Sequence, residues 1–180
     1  MKKSIFLIFI AVLTLTVSTL AQNSIPAQAK PEPPKTATPA ITEITIDVEG
    51  GLTLKMKAAD LGKLTRVEVK ATGHDEVESV YSGYELRTIL APAGAKFGKD
   101  LKGAAVGQFL IVEAADGYRA VYSLTDLDSD FADKVVILAD MRDGKPLDAK
   151  NGPWQVIATN EKKHARWVRQ VTALKVKIAK

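Results

Sequence analysis

The stretch from Phe109 to Ser123 constrains the fold most strongly, because it predicts a β-hairpin to which further strands must pair. Apolar residues flank Asp116-Gly117 on both sides, and a glycine at this position supplies the positive φ angle that a tight hairpin turn requires. Tyr118, Arg119 and Tyr122 bring aromatic and polar groups close to the turn. The sequence therefore predicts two paired strands whose turn carries candidate functional side chains.

Apolar patterns predict further strands on both sides of this hairpin. They lie at residues 42–48, 52–57, 66–70, 134–139, 154–158 and 171–178. Only two or three short helices are indicated. Ser82 and Ser123 are each followed three residues later by an acidic residue, which predicts a capping box at the start of a helix. The expected fold is α+β and dominated by sheet.

The first 21 residues predict a secretory signal peptide. Lys2 and Lys3 precede an apolar run from residue 5 to residue 13, and Thr19-Leu20-Ala21 is a small-x-small cleavage site. The apolar run is shorter than the roughly 20 residues of a membrane-spanning helix. We therefore expect cleavage after Ala21 rather than retention as an anchor, no transmembrane segment after cleavage, and a periplasmic or secreted protein.

Residues 22–40 predict a proline-rich tether. The segment contains five prolines and no glycine, and its prolines are at positions 26, 31, 33, 34 and 39. Such a composition stays extended and solvated. A single domain is expected from residue 41 to residue 180, since about 140 residues suffice to bury one core.

The formal net charge of +4 does not indicate a nucleic-acid partner, and none is expected. The two lysines of the signal peptide and the net +1 of the tether supply most of this charge, so the domain itself is nearly neutral. The basic residues are instead concentrated near the end of the chain. Residues 160–180 contain seven of them and a single acidic residue. A locally basic surface of this kind can bind an anion.

The chain contains no cysteine. This absence excludes thiolate ligands for a metal and cysteine nucleophiles. His74 stands beside Asp75 and Glu76 in a polar turn, but no second histidine accompanies it at the spacing usual for zinc ligands. A solvated turn is the preferred interpretation, and no residue is assigned as a metal ligand.

Several short motifs follow one another in a defined order. They are Tyr81-Ser-Gly-Tyr-Glu-Leu86, Ala115-Asp-Gly-Tyr118, Leu138-Ala-Asp140, Asp143-Gly-Lys-Pro-Leu147, Gly152-Pro153 and Arg166-Trp-Val-Arg169. Taken together, they resemble the molybdopterin-binding domain of the sulfite-oxidase-like oxidoreductases over roughly residues 65–178. The resemblance implies a mixed, sheet-dominated α+β domain with a few short helices, in which a pterin–molybdenum cofactor lies among loops.

The same resemblance implies a set of cofactor-binding residues. They are Asp116, Gly117, Tyr118, Arg142, His164, Arg166 and Arg169. The basic residues between positions 162 and 169 match the family region that helps to hold the cofactor's phosphate, and arginine suits phosphate geometry. The alternative interpretation of this basic cluster is a solvated edge.

The chain departs from the family at the metal. One cysteine thiolate holds the metal in the family, at a place that falls around Ala71 to His74 here, where no cysteine stands. The family's Gly-Pro-x-Arg is Gly152-Pro-Trp-Gln155 in this chain, and the proline that follows is missing. Thiolate is the soft ligand that sets the geometry and potential of such a metal. Molybdopterin is therefore a candidate ligand by resemblance, whereas the missing cysteine speaks against bound molybdenum.

Three functions are compatible with these residues. The first is an exported module that has lost the metal ligand and binds a small anionic or pterin-like ligand or a periplasmic protein partner. The second is a molybdopterin-dependent oxidoreductase with atypical cofactor ligation, which would use Tyr118, Arg119 or Arg142 near its substrate. The third is a purely structural periplasmic domain. The first is preferred, because the metal ligand is missing while the Asp116 turn and the basic cluster are present.

Overall fold

The computed structural model describes residues 40–179. The predicted signal peptide and nearly all of the predicted tether lie outside these residues. Within them, two five-stranded sheets and a few short helices contribute to one hydrophobic core. The description below therefore concerns the predicted domain.

Ten strands are present in the described residues. They are β1 (Glu43–Val48), β2 (Thr53–Lys57), β3 (Val67–Thr72), β4 (Glu78–Glu85), β5 (Gln108–Ala114), β6 (Arg119–Ser123), β7 (Val136–Arg142), β8 (Lys145–Pro146), β9 (Gln155–Ala158) and β10 (Val171–Ile178). The α-helices are α1 (Ala58–Leu61) and α2 (Leu86–Leu90). Short 3₁₀ helices occupy loops at Ala91–Ala93, Gly98–Asp100, Gly103–Gly107, Leu124–Leu127 and His164–Arg166. From residue 40 to residue 179, no helix has the length and apolar character needed to cross a membrane.

The first sheet has the strand order β2-β1-β10-β5-β6. Its neighbouring strands are antiparallel except for β1 and β10, which run parallel. The last strand of the described residues, β10, is therefore the middle strand of this sheet. At its edge, β5 and β6 form the hairpin predicted around Asp116-Gly117, with Glu113 opposite Arg119.

The second sheet has the order β3-β4-β7-β8, and β9 pairs with the remaining part of β7. The apolar run before Asp140 predicts a buried central strand, and β7 confirms it, because its first four residues are all buried. β9 is buried along its whole length. β7 ends at Arg142, one of the residues predicted to bind a cofactor. The second sheet therefore positions this side chain at the end of one of its strands.

The capping box predicted at Ser82 is wrong. Ser82 lies inside β4, and its hydroxyl donates a hydrogen bond to Glu68 on β3 at 3.3 Å. The next residue, Gly83, shows why the strand is favoured, since a Cβ atom there would lie 2.1 Å from the carbonyl oxygen of Leu138 on β7. Close packing between strands thus overrides the local helix signal, and α2 begins only at Leu86.

The hydrophobic core draws on both sheets and on α2. β1 buries every second residue, as its alternating pattern predicts, and α2 buries three of its five residues. Trp154 and Trp167 are also buried, with exposed fractions of 3% and 5%. Because Trp167 belongs to the irregular segment between β9 and β10, its burial fixes a loop that carries most of the predicted basic cluster.

The solvent-facing side of the first sheet, here the outer face, carries cross-strand ion pairs. They join Lys55 to Glu43, Lys177 to Asp47, Lys175 to Glu113 and Arg119 to Glu113, at distances of 2.7–3.0 Å. Each basic residue of these pairs has a carboxylate partner on a neighbouring strand. Exposed pairs of this kind contribute about 0–1 kcal/mol each, so the outer face is balanced in charge rather than strongly stabilised.

Candidate functional site

Two adjoining cavities lie beside Trp167. The first has a volume of about 300 Å³ and is lined by His74, Ala114, Asp116, Tyr118, His164, Ala165, Trp167 and Arg169. The second has a volume of about 240 Å³ and is lined by His74, Asp75, Tyr81, Arg142, Leu147, Asp148, Lys150, Asn151, Gln155, Trp167 and Arg169. Three residues line both cavities, so we treat them as one site and call it the Trp167 cleft.

The Trp167 cleft brings together five of the seven residues predicted to bind a cofactor. They are Asp116, Tyr118, Arg142, His164 and Arg169. In the described part of the chain, Gly117 and Arg166 line neither cavity. Arg119, which sequence reasoning placed near a substrate, lies on the outer face and pairs with Glu113.

The turn between β5 and β6 positions Asp116 and Tyr118 at the cleft. Gly117 has a φ of +85°, which glycine adopts without steric cost. The Asp116 carboxylate accepts a hydrogen bond from the backbone N–H of Tyr118 at 2.9 Å. The Tyr118 hydroxyl donates to the carbonyl oxygen of Ala165 at 2.7 Å. Tyr118 therefore ties the hairpin turn to the loop that carries His164.

Arg166 has a different environment from its neighbours in that loop. Its guanidinium pairs with Asp126 at 3.0 Å and with Glu161, and it lies 4.3 Å from the ring centroid of Tyr122. The Tyr122 hydroxyl donates to the Arg166 carbonyl oxygen at 2.6 Å. Two carboxylates thus neutralise Arg166, which joins its loop to the 3₁₀ helix at Leu124–Leu127.

Two imidazole rings meet in the cleft. The centroids of His74 and His164 are 4.9 Å apart, and the rings are nearly perpendicular at 80°. The His164 ring also lies 4.3 Å from Trp167, whose indole N–H donates to the carbonyl oxygen of Ala158 at 3.2 Å. These are the only histidines of the chain. Both histidines of the sequence therefore line the cleft.

Sequence reasoning did not assign His74 to the site. It lies in the turn between β3 and β4, where the N–H of Gly73 donates to the carbonyl oxygen of Val77 at 3.1 Å. His74 is exposed to solvent, as expected for a solvated turn, but the fold also places it against His164. The presence of a histidine at position 74 could be read from the sequence. Its contact with His164, however, depends on how two loops that are distant in sequence meet.

Most of the charged groups that act on His74 are positive. Desolvation lowers the pKa of His74 below its ordinary value, and the neighbouring His164, Arg169 and Lys150 lower it further, while Asp75 acts in the opposite direction. Positive neighbours disfavour any added positive charge, whether it is a proton or a metal cation. The same neighbours favour an anion.

Arg169 and Lys150 provide positive charge that is not neutralised by an ion pair within residues 40–179. The loop that carries Lys150 is ordered by Asp148, whose carboxylate accepts hydrogen bonds from the N–H groups of Lys150 and Asn151, each at 2.9 Å. The carbonyl oxygen of Asn151 accepts from the N–H of Gln170 at 3.1 Å. This backbone contact holds the Lys150 loop next to Arg169.

Arg142 is more constrained than Arg169. Its guanidinium donates to Asp75 at 2.7 Å and to the hydroxyl of Ser79 at 2.9 Å, and it lies 5.5 Å from the ring centroid of Tyr81. The hydrogen bond from Arg142 holds the pKa of Asp75 below its ordinary value. Arg142 therefore shapes the wall of the second cavity and fixes the turn that carries His74.

The residues of the cleft do not fit a thiolate-ligated molybdenum. The chain has no cysteine, and the described residues contain no group of three or more histidine, aspartate or glutamate side chains that could hold a metal ion. Gln155, at the place where the resemblance implies an arginine, gives the second cavity a neutral amide. The cleft does fit an anionic group near Arg169 and Lys150, and a flat ring beside His164 and Trp167.

Comparisons with known proteins bear on the fold. No family model and no curated protein matches the chain. Among solved structures, the sulfane dehydrogenase SoxCD from Paracoccus pantotrophus matches with a TM-score of 0.59 and 19% sequence identity. The match covers 74% of this chain but 37% of that chain, so this chain spans little more than a third of the SoxCD chain's length. The predicted α+β fold of the sulfite-oxidase-like type, dominated by sheet, is confirmed.

Proposed function

We propose that this chain is an exported binding module that holds a small anionic or pterin-like ligand in the Trp167 cleft. The observation that carries the proposal is the charge of Arg169 and Lys150 without ion-pair partners in the described chain, next to the rings of His164 and Trp167. Arginine and lysine recognise oxyanions through charge-assisted hydrogen bonds. Export follows from the predicted signal peptide.

The two cavities differ in their linings, which suggests which part of such a ligand each cavity would hold. The first is walled mainly by aromatic rings with Ala114 and Ala165, and also by the charged residues Asp116 and Arg169. The second is walled mainly by charged and amide side chains. Arg169 lines both cavities, so it can reach an oxyanion attached to a ring in the first. A ligand with a flat ring and an acidic substituent matches this division.

A molybdopterin-dependent oxidoreductase would share the fold but would need another way to hold its metal. The family's cysteine place is occupied here by residues around His74, and the neighbouring charges oppose a cation. The organic part of molybdopterin, a ring with a phosphate, is nevertheless a ligand that the cleft fits. We therefore propose that the cleft still binds a ligand of this kind but no longer supports the metal chemistry. A periplasmic protein partner is a second candidate occupant of the cleft.

Purification of the exported protein tests the loss of the metal. The full chain, produced with its leader in a bacterial host, is analysed for molybdenum by mass spectrometry and for pterin fluorescence after denaturation. We expect molybdenum far below one equivalent. Stoichiometric molybdenum would overturn the proposal in favour of an oxidoreductase.

Ligand binding is tested with pterin-6-carboxylate, which combines a flat ring with an acidic group, by fluorescence titration. We expect saturable binding that Arg169→Gln weakens by about 10–100-fold, the range that corresponds to a lost charged hydrogen bond. The matched control is Arg119→Gln, which removes the same charge from the outer face and should change affinity by less than about twofold. Equal losses in both variants, or no binding by the unmodified chain, would contradict the proposal.

A further inference from the structure

The histidine pair of the Trp167 cleft is placed where it can couple anion binding to a proton. We propose that the cleft holds a divalent oxyanion of the sulfate or phosphate class, and that the His74–His164 pair takes up a proton when this anion binds. The inference rests on the proposed function, because it concerns the same cleft, and it adds the class of the anion and the regulation of its binding by pH.

The arrangement of the two rings indicates that the pair takes up protons stepwise. Their centroids are 4.9 Å apart, so a charge on one imidazole disfavours a charge on the other. Two groups that interact in this way titrate as a pair, with the first proton bound more readily than the second. The pair therefore responds first as one site that gains a single positive charge.

The groups that face His74 oppose this charge when no anion is present. Lys150 and Arg169 are positive, and together with desolvation they lower the pKa of His74. Asp75 and Asp148 are the carboxylates that line the second cavity with His74. The first is already paired with Arg142 at 2.7 Å, and the second accepts hydrogen bonds from the N–H groups of Lys150 and Asn151. An oxyanion held by Lys150 and Arg169 would cancel their repulsion, so a proton on the pair becomes easier to bind.

The groups that face His164 do not replace such an anion. Asp116 and Tyr118 line the same cavity, and the Asp116 carboxylate caps its own turn. A third cavity of about 250 Å³, which His164 and Trp167 also line, contains the charged residues Lys70, Glu78 and Glu161. The Glu161 carboxylate is paired with Arg166 and Lys134. Glu78 has no ion-pair partner among residues 40–179, but it lines only this third cavity and neither cavity of the Trp167 cleft.

Protonation and anion binding must then strengthen each other. A protonated pair adds a third positive charge to those of Arg169 and Lys150, which suits an anion with two negative charges. By linkage, the factor by which a proton raises anion affinity equals the factor by which the anion raises proton affinity. The cleft is thus expected to bind its anion more tightly below neutral pH than above it.

Sulfate is the appropriate probe, because its charge stays constant between pH 5 and pH 8, whereas phosphate itself titrates. Sulfate binding to the domain is measured by calorimetry at pH 5.5 and pH 8, with chloride used to keep the ionic strength equal. In parallel, the ring protons of the two histidines are titrated by NMR with and without sulfate. His74→Gln and His164→Gln assign the two signals.

We expect sulfate to bind about tenfold more tightly at pH 5.5 than at pH 8, and the apparent pKa of the pair to rise by about one unit when sulfate is present. Arg169→Gln should remove both effects, whereas Arg119→Gln should keep both. The NMR titration needs no substitution in the histidines, so it is informative even if a histidine variant is unstable.

Three results would overturn the inference in distinguishable ways. Sulfate binding of equal strength at both pH values, with unchanged histidine titration, would refute the proton coupling while leaving a binding module. Binding of pterin-6-carboxylate without any saturable sulfate binding would refute the oxyanion class alone. Failure of both probes to bind would remove the proposed function and this inference together.

Discussion

The outer face of the first sheet and the Trp167 cleft contain similar charged residues in opposite arrangements. On the outer face, Lys55, Lys177 and Arg119 each have a carboxylate partner on a neighbouring strand. In the cleft, Arg169 and Lys150 have no ion-pair partner among residues 40–179. The difference shows that basic side chains alone do not mark a site. What distinguishes the cleft is positive charge without neutralisation beside a concave aromatic wall.

The same contrast divides the basic cluster that is continuous in sequence between residues 160 and 180. Lys175 and Lys177 belong to the outer face, Arg166 is neutralised by two carboxylates, and Arg169 lines the cleft. Basic residues that look like one surface in the sequence therefore lie in three different environments. Substitutions that compare paired with unpaired residues test this division directly.

The largest effect is expected from Trp167→Ala. This change removes a buried indole that packs against Tyr81 and His164, and such truncations cost about 3–5 kcal/mol. The control Val121→Ala lies on the outer face with half of its side chain exposed, and should cost less than about 1 kcal/mol. Urea denaturation measures both free energies of unfolding. Similar losses would mean that the wall of the cleft is not part of the core.

A smaller effect is expected from Lys150→Gln, which removes positive charge from the cleft. Its affinity for pterin-6-carboxylate should fall about three- to tenfold, since an exposed ammonium contributes roughly 1 kcal/mol to an anion nearby. Lys55→Gln removes a lysine that is already paired with Glu43 and should leave the affinity unchanged. If the two variants lose affinity equally, general charge rather than the cleft attracts the ligand.

Tyr118→Phe should have a moderate effect on both stability and binding. It removes the hydrogen bond from the tyrosine hydroxyl to the Ala165 carbonyl oxygen, which contributes about 0.5–1.5 kcal/mol. Because this bond joins the hairpin turn to the His164 loop, ligand affinity should fall up to about tenfold. Thermal unfolding and fluorescence titration measure the two quantities. An unchanged affinity would show that the loop keeps its place without Tyr118.

The smallest effect is expected from the protonation of His74. Because its pKa is lowered in the folded protein, the unfolded chain binds this proton more readily. Stability from this group is therefore present above about pH 6.5 and is lost as the pH falls below that value. Without added anion, the melting temperature should fall between pH 7.5 and pH 5.5, and His74→Gln should reduce this fall. An identical pH profile for the variant would contradict the assigned environment.

The fold was largely predictable because its strongest signals are local. Alternation with a period of two predicts β1 and β10, and the Asp116-Gly117 turn predicts the hairpin. The helix start expected at Ser82 was not correct, because Gly83 allows β7 to approach the backbone of β4 and this packing has no local signature. The second capping motif did precede a helix, because the Ser123 hydroxyl accepts a hydrogen bond from the N–H of Thr125 at 3.3 Å at the start of the 3₁₀ helix Leu124–Leu127.

The candidate site was only partly predictable. Asp116, Tyr118, His164 and Arg169 were assigned through the resemblance, and the structure brings them to one cleft. The sequence could not separate Arg166 from Arg169, because the two residues differ only in the carboxylates that the fold places beside them. The contact between His74 and its partner histidine depends on the meeting of two loops, for which neither loop carries a local signal.

The position of β10 between β1 and β5 has a consequence for how the chain acquires its structure. The first sheet cannot close until residues 171–178 are available, because its two outer hairpins are joined only through this last strand. During synthesis the first sheet therefore stays incomplete until residues 171–178 have been made, and contacts of such long sequence separation form slowly.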